Sequence, residues 1–120
     1  MYTYSFEKLE VWKEAKEFTK IIYLITFKFP DDEKFGVTSQ IRRASISVCS
    51  NIAEGSARKT NKDKAHFPII AFSSAVEVLN QLIISKELNF LSEKKYQSCR
   101  SQIESITNKL NALRKYQINN

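Results

Sequence analysis

YQSCRSQIESITNKLNAL, residues 96–113, sets its apolar side chains at Tyr96, Cys99, Ile103, Ile106, Leu110 and Leu113. The steps alternate between three and four, which is the period of one face of an α-helix and not of a strand. Just upstream, Asn89 to Leu91 reads as a tight corner. Ser92 is placed to cap the helix, and Leu91 to pack on Tyr96 as a hydrophobic staple.

The same period recurs toward the N-terminus. From Phe67 to Leu91 nearly every helical face carries an apolar residue, among them Ile69, Ile70, Phe72, Val76, Val78, Leu79, Leu82, Ile83, Ile84 and Leu88. That stripe is wider than one core face of a small monomer needs, so it predicts self-association. Thr60 with Asp63 three positions on is a weakened capping box, and Pro68 predicts either a late helix start or a kink. Before it, a helix opening at Thr38 as N-cap has Ile41, Ser45, Val48 and Ile52 as its seam. Ala44, Ser45, Ser47, Ser50, Ala53, Gly55, Ser56 and Ala57 are small enough to let a neighbouring backbone come close. The first helix runs Val11, Ala15, Phe18, Ile22, Ile25, Phe29, with Trp12, Ile21 and Leu24 widening its stripe, and Pro30 ends it. Four amphipathic helices with short connections pack most simply as an all-α, up-down-up-down antiparallel bundle spanning residues 1–120 as one domain.

Composition agrees. Only 2 Gly and 2 Pro occur in 120 residues, too few for the turns of an all-β fold. At 13.9 kDa the chain folds to a surface of roughly 6,700 Å² by size scaling, enough burial for one core. Cys49 and Cys99 lack C-x-x-C spacing and read as buried thiols in a reducing compartment. The first twenty residues alternate acid and base, and no stretch reaches eighteen consecutive apolar residues, so the expectation is a soluble cytoplasmic protein without a membrane partner.

Catalytic and metal chemistry find little to work with. His66 is the single histidine, which denies the chain a histidine-based metal cluster, and two glycines leave no phosphate-cradling loop. Cys49 with His66 is the one candidate nucleophile–base pair, without a supporting motif. No catalytic residue, metal or cofactor is expected, and the chain reads as a non-enzyme.

Charge is more informative. Lys and Arg number 19 against 13 Asp and Glu, a formal +6 with pI near 9.4. Such an excess suits phosphate backbones and equally suits a solvated face. On the second helix Gln40, Arg43, Ser47, Ser50, Asn51 and Glu54 line one polar side. Two readings stand: Arg43, Glu54 and Glu77 satisfy one another across the bundle, or Arg42 and Arg43 form an anion-binding surface near the helix start. Arg58, Lys59, Lys62 and Lys64 form a second basic cluster in a connection that cannot be core. Neither a base-reading motif nor an aromatic stacking signature is apparent.

The run QIRRASISVCSNIAEGSAR, residues 40–58, resembles the signature of a bacterial four-helix bundle family first associated with intervening sequences inside large-subunit ribosomal RNA genes. FEKLEVWKEAKEF from Phe6, FP at Phe29 and Pro30, FGVTSQ from Phe35 and AFSSAVEVLNQL from Ala71 are similar to it too, in the same order. The resemblance implies an antiparallel bundle assembling as a homopentameric ring. A related group, the accessory variability determinant of diversity-generating retroelements, forms a similar pentamer whose basic surface binds nucleic acid and a reverse transcriptase. By that resemblance Arg42, Arg43, Arg58 and Lys59 are the candidates for RNA or DNA contact, with Lys62 and Lys64 beside them. Gln40, Asn51, Glu54, Gly55, Ser74 and Glu77 match positions that hold the fold or the ring together. The expected function is electrostatic nucleic-acid binding by a ring. The alternative is a scaffold that docks a partner protein and binds no nucleic acid.

Overall fold

The computed structural model describes residues 1–119; residue 120 lies outside the description. Four helices carry the chain: α1 (Glu10–Thr26), α2 (Val37–Ser56), α3 (Asn61–Glu87) and α4 (Glu93–Asn119), with short 3₁₀ turns at Ser5–Lys8 and Asp31–Glu33. No strand occurs among the described residues. Interhelical bonds set the directions. Thr19 faces Ser45 and Arg42 faces Thr26 across α1 and α2, and Ser47 meets Ser74 across α2 and α3. From Thr19 to Thr26 the α2 partners fall from Ser45 to Arg42, and from Ser47 to Gly55 the α3 neighbours fall from Ser74 to Phe67, so these helices run antiparallel to their neighbours. Each helix packs on the next and α4 returns to α1, while the backbones of diagonal pairs stay apart.

The core is the predicted seams meeting at the bundle axis. Val11, Ala15, Phe18 and Ile22 of α1 join Ile41, Ala44, Val48 and Ile52 of α2, Ala71, Ala75, Val78 and Leu82 of α3, and Tyr96, Cys99, Ile103, Ile106 and Leu110 of α4. The α1–α4 seam is the lightest. Its main tie is the half-buried Glu14 carboxylate, which accepts from Ser105 Oγ at 3.1 Å and from Lys109 Nζ at 2.6 Å.

The α2–α3 seam is where small residues matter. A Cβ added to Gly55 would lie 2.7 Å from Phe67 Cβ, so the two backbones approach as only glycine allows. Nearer the middle, Ser47 Oγ and the buried Ser74 Oγ sit 2.9 Å apart, and Asn51 Nδ2 donates to Ser47 O at 2.8 Å. These polar groups satisfy one another where bulkier side chains would push the helices apart.

Several local expectations change. Thr38 is not the cap of α2: it is buried, and the helix starts earlier from Gly36. The reason is that Glu33 Oε1 accepts the Val37 N–H at 3.3 Å, so the preceding turn supplies the cap. Pro68 delays nothing, since α3 begins at Asn61 with Asp63 N donating to Thr60 Oγ1 at 3.1 Å. The proline is buried inside α3, and the carbonyl of Lys64, deprived of its helical donor, lies toward Gly55. The Ser92 cap is present, with its Oγ accepting from Lys95 N at 3.1 Å. The corner before it is a Schellman turn: Asn89 takes φ 63°, and Phe90 N donates to Ser85 O at 2.9 Å.

Part of the α3 stripe is covered within the chain itself. Wedged between α2 and α4, its longest interfaces, α3 buries two faces within one chain. Its composition, with mean hydropathy 1.6 over eighteen residues, would suit a bilayer span as well as this central position. Only Ile69, Val76 and Ile84 stay near 45% exposed on its outer face, whereas Leu24 is 72%, Phe27 83% and Phe35 88% exposed. The most prominent apolar surface therefore belongs to the end of α1 and the turn after it. The chain's surface of 7655 Å² exceeds the roughly 6,700 Å² of a typical monomer of this mass, in keeping with its 45 × 29 × 20 Å rod shape.

Gly55→Ala should lower stability by about 1–3 kcal/mol, because the new methyl meets the root of Phe67 and not a flexible tip. Urea unfolding would show this as a lower midpoint with an unchanged slope.

Candidate nucleic-acid interface

The basic residues singled out in the sequence fall into two groups at opposite ends of α2. Arg43 and Arg58 are fifteen positions apart, about 22 Å along a helix axis. One protomer does not bring them onto one patch.

At the start of α2, Arg42 is already engaged. Its Nε donates to Thr26 Oγ1 at 2.8 Å, its Nη2 to Tyr23 O at 3.4 Å, and its guanidinium lies 4.6 Å from the Tyr23 ring centre. A cation is thereby placed at the negative C-terminal end of α1, where it satisfies last-turn carbonyl and hydroxyl groups. Arg43 and Gln40 beside it are exposed. The postulated Arg43–Glu54–Glu77 network is not formed. Glu54 lies eleven residues below Arg43, about 16 Å along α2, and Glu77 instead accepts from Gln81 Nε2 at 3.2 Å. Glu54 is exposed; Asn51, Gly55 and Ser74 belong to the α2–α3 seam described above.

At the other end of α2, only Arg58 and Lys59 of the second basic cluster lie in the connection; Lys62 and Lys64 belong to the first turn of α3, because the Thr60 cap starts that helix at Asn61. Arg58 stacks 4.5 Å from the Phe67 ring centre; Lys59 and Lys62 are exposed and Lys64 half-buried. None of the four forms an ion pair with a carboxylate among the described residues. The cations at Lys13, Lys20, Lys86, Arg100 and Lys109 do. The last turns of α4 extend the cluster: Lys62, Asp63, His66, Arg114 and Ile118 share a shallow hollow of about 320 Å³. The place of Arg114 beside Lys62 follows from the antiparallel α3–α4 packing.

The apolar surface at the end of α1 was not anticipated. Shallow hollows of about 500 and 520 Å³ flank Leu24 and Phe27, and Lys20, Lys28, Arg42 and Lys95 stand at their edges. An angular check on α1 contains the signal: Leu24 lies two residues beyond the buried Ile22, hence about 200° around the helix from it.

The pair considered for nucleophilic chemistry is not brought together. Cys49 Sγ sits 3.5 Å from Thr19 Oγ1 in the α1–α2 seam, whereas the exposed His66 ring meets Phe67 near the start of α3. Burial pushes both thiols above their usual range, with the Thr19 contact opposing the rise at Cys49 and Lys95 opposing it at Cys99. Among the described residues no three His, Cys, Asp or Glu side chains converge as a metal site.

This geometry defines a class: a small all-α bundle whose α2 is packed through small residues and whose α2–α3 turn carries unneutralised cations. The chain belongs to the 23S rRNA-intervening sequence protein family, whose pattern matches residues 7–112. It is similar in fold to a crystal structure of a protein of unknown function from the S23 ribosomal protein family of Bacteroides thetaiotaomicron, with a TM-score of 0.80 and 24% identity over 88% of this chain and 95% of that one. No curated protein matches it in sequence.

Two outcomes follow from these placements. Arg42→Ala should lower stability by about 1–2 kcal/mol by removing the donors at the end of α1, while Arg43→Ala stays within about 0.5 kcal/mol, as read by thermal unfolding. For the thiols, a raised folded-state pKa means stability is fully present below the unfolded value, about 8.5, and lost as pH rises toward the folded one. Unfolding midpoints should therefore fall in that alkaline window, and fall less in Cys99→Ala than in the unsubstituted protein.

Proposed function

We propose that this protein is a non-enzymatic, ring-forming bundle that holds RNA or DNA by its phosphates, without reading base sequence. The observation that carries this reading is the α2–α3 turn with the start of α3, where Arg58, Lys59, Lys62 and Lys64 crowd into seven positions without carboxylate partners and Arg114 adds a cation from α4. Unneutralised cations on a convex turn release counterions when they meet a polyphosphate, which is a sequence-independent source of affinity. Membership in a family linked to 23S rRNA intervening sequences agrees with a polynucleotide partner.

One protomer offers few such contacts. Assembly multiplies them, and the exposed Leu24, Phe27 and Phe35 are the side chains that sibling copies would cover. Five copies is the number the family resemblance implies. A second reading, a scaffold that docks a partner protein, has one observation in its favour: the hollows flanking Leu24 and Phe27, each large enough to seat an apolar side chain.

Duplex DNA titrated at rising salt tests the first reading. With four phosphate contacts per protomer, log K should fall against log salt with a slope of about −3.6, and Ala at Lys59 and Lys62 should flatten it by about 0.9 each. Affinity that persists unchanged at high salt would refute phosphate binding. Light scattering that finds a monomer at micromolar concentration would refute the ring.

A further inference from the structure

The first twelve residues hold a run of aromatic rings on the surface. Tyr2 and Tyr4 meet edge to face with centroids 5.0 Å apart, Tyr4 and Phe6 stack at 6.4 Å and 28°, and Phe6 meets Trp12 at 4.9 Å. Lys16 Nζ lies 5.1 Å over Trp12 at the inner end. Phe6 and Trp12 are partly buried, but Tyr2 and Tyr4 are largely exposed, an unusual state for two large rings already in contact.

The segment is held in place. Tyr4 N donates to Glu7 Oε2 at 2.8 Å and Glu7 N to Tyr4 O at 3.1 Å, closing the turn on which the rings stand. The next residue but one, Leu9, shares a hollow with Ile52, Gly55, Ser56 and Lys64. The rings therefore belong to the end of the bundle that carries the basic α2–α3 turn. Of the carboxylates in this N-terminal stretch, Glu7 accepts from the Tyr4 amide and Glu10 pairs with Lys13 at 3.6 Å.

We infer that Tyr2 and Tyr4 form a stacking platform for unpaired bases, so that this end of the bundle takes single-stranded nucleic acid with its backbone along Arg58, Lys59, Lys62 and Lys64. The inference rests on the phosphate-binding reading above and deepens it by naming the strand state. Cations that track a backbone beside exposed aromatic faces are the two components of sequence-tolerant single-strand binding. In a duplex the base faces are already stacked on one another, so Tyr2 and Tyr4 add nothing to its affinity. Because the turn at Tyr4 is closed before any ligand arrives, little ordering is needed on binding.

The test is fluorescence anisotropy of a labelled oligouridine about twenty nucleotides long, and of a duplex of equal length, at low salt. The single strand should bind more tightly than the duplex. Tyr2→Ala with Tyr4→Ala should weaken the single strand about tenfold or more while leaving the duplex unchanged, and Tyr2→Phe with Tyr4→Phe should restore binding. Both positions are exposed, and unchanged unfolding midpoints would show that the variants keep the fold. Equal affinity for the two ligands, or an Ala variant that holds the single strand as before, would overturn the stacking platform and leave phosphate binding standing. Failure of both ligands to bind at low salt would overturn the two readings together.

Discussion

At Gly55 the second and third helices come within less than a side chain's width of each other, and much of the molecule is arranged around that closeness. The four residues between Ser56 and Asn61 leave α3 nowhere to go but back along α2. Ser47 and Ser74 extend the tight contact by bonding across it. In return, α3 can be flanked on its other side by α4, so that apolar residues on two of its faces find neighbours in the same chain. The same short connection forces a handful of residues to the outside, since a turn this tight has no interior. Lys59 there and Lys62 just beyond it are exposed, and none of the cluster's cations forms an ion pair among the described residues.

That dependence explains which parts of the architecture could be read in advance. The α4 seam, the α1 seam from Val11 to Ile22 and the small-residue face of α2 are periodic, and periodicity survives into the folded state because each seam faces one axis. Helix count, the Thr60 and Ser92 caps and the membership of the core were therefore visible. Features set by a second element were not. Thr38 has the chemistry of a cap, but the Glu33 carboxylate reaches the Val37 amide first. Arg43, Glu54 and Glu77 share a polar face in projection, yet a helical projection hides distance along the axis. The α3 stripe is apolar on several faces, and which of them meet α2 and α4 depends on packing that a count of apolar residues does not contain.

The candidate site divides in the same way. Lys59 sits in a non-periodic connection, so its exposure followed from the sequence, whereas Lys62 is exposed from the first turn of α3. Arg42 looked equivalent to Arg43 because the two are adjacent, but they point about 100° apart, and only Arg42 meets the end of α1. The rings at Tyr2, Tyr4, Phe6 and Trp12 escaped notice because most of that stretch lies outside any regular helix, and nothing in its spacing says that the rings touch. The backbone turn closed by Glu7 brings them together.

Placement of the two basic groups constrains how assembly could help. Arg43 and the residues of the α2–α3 turn lie about 22 Å apart along α2, farther than the roughly 8–10 Å over which exposed charges feel each other in physiological salt. Within one protomer they act independently. Copies set side by side with their axes aligned would bring every α2–α3 turn to one rim and every Arg43 to the other, so potentials would add within each rim and not between them. An assembly that inverted alternate copies would mix the two groups and dilute both. Cyclic symmetry about an axis parallel to the rods is the arrangement that keeps the strongest cluster together, and it also keeps every N-terminal aromatic run beside it.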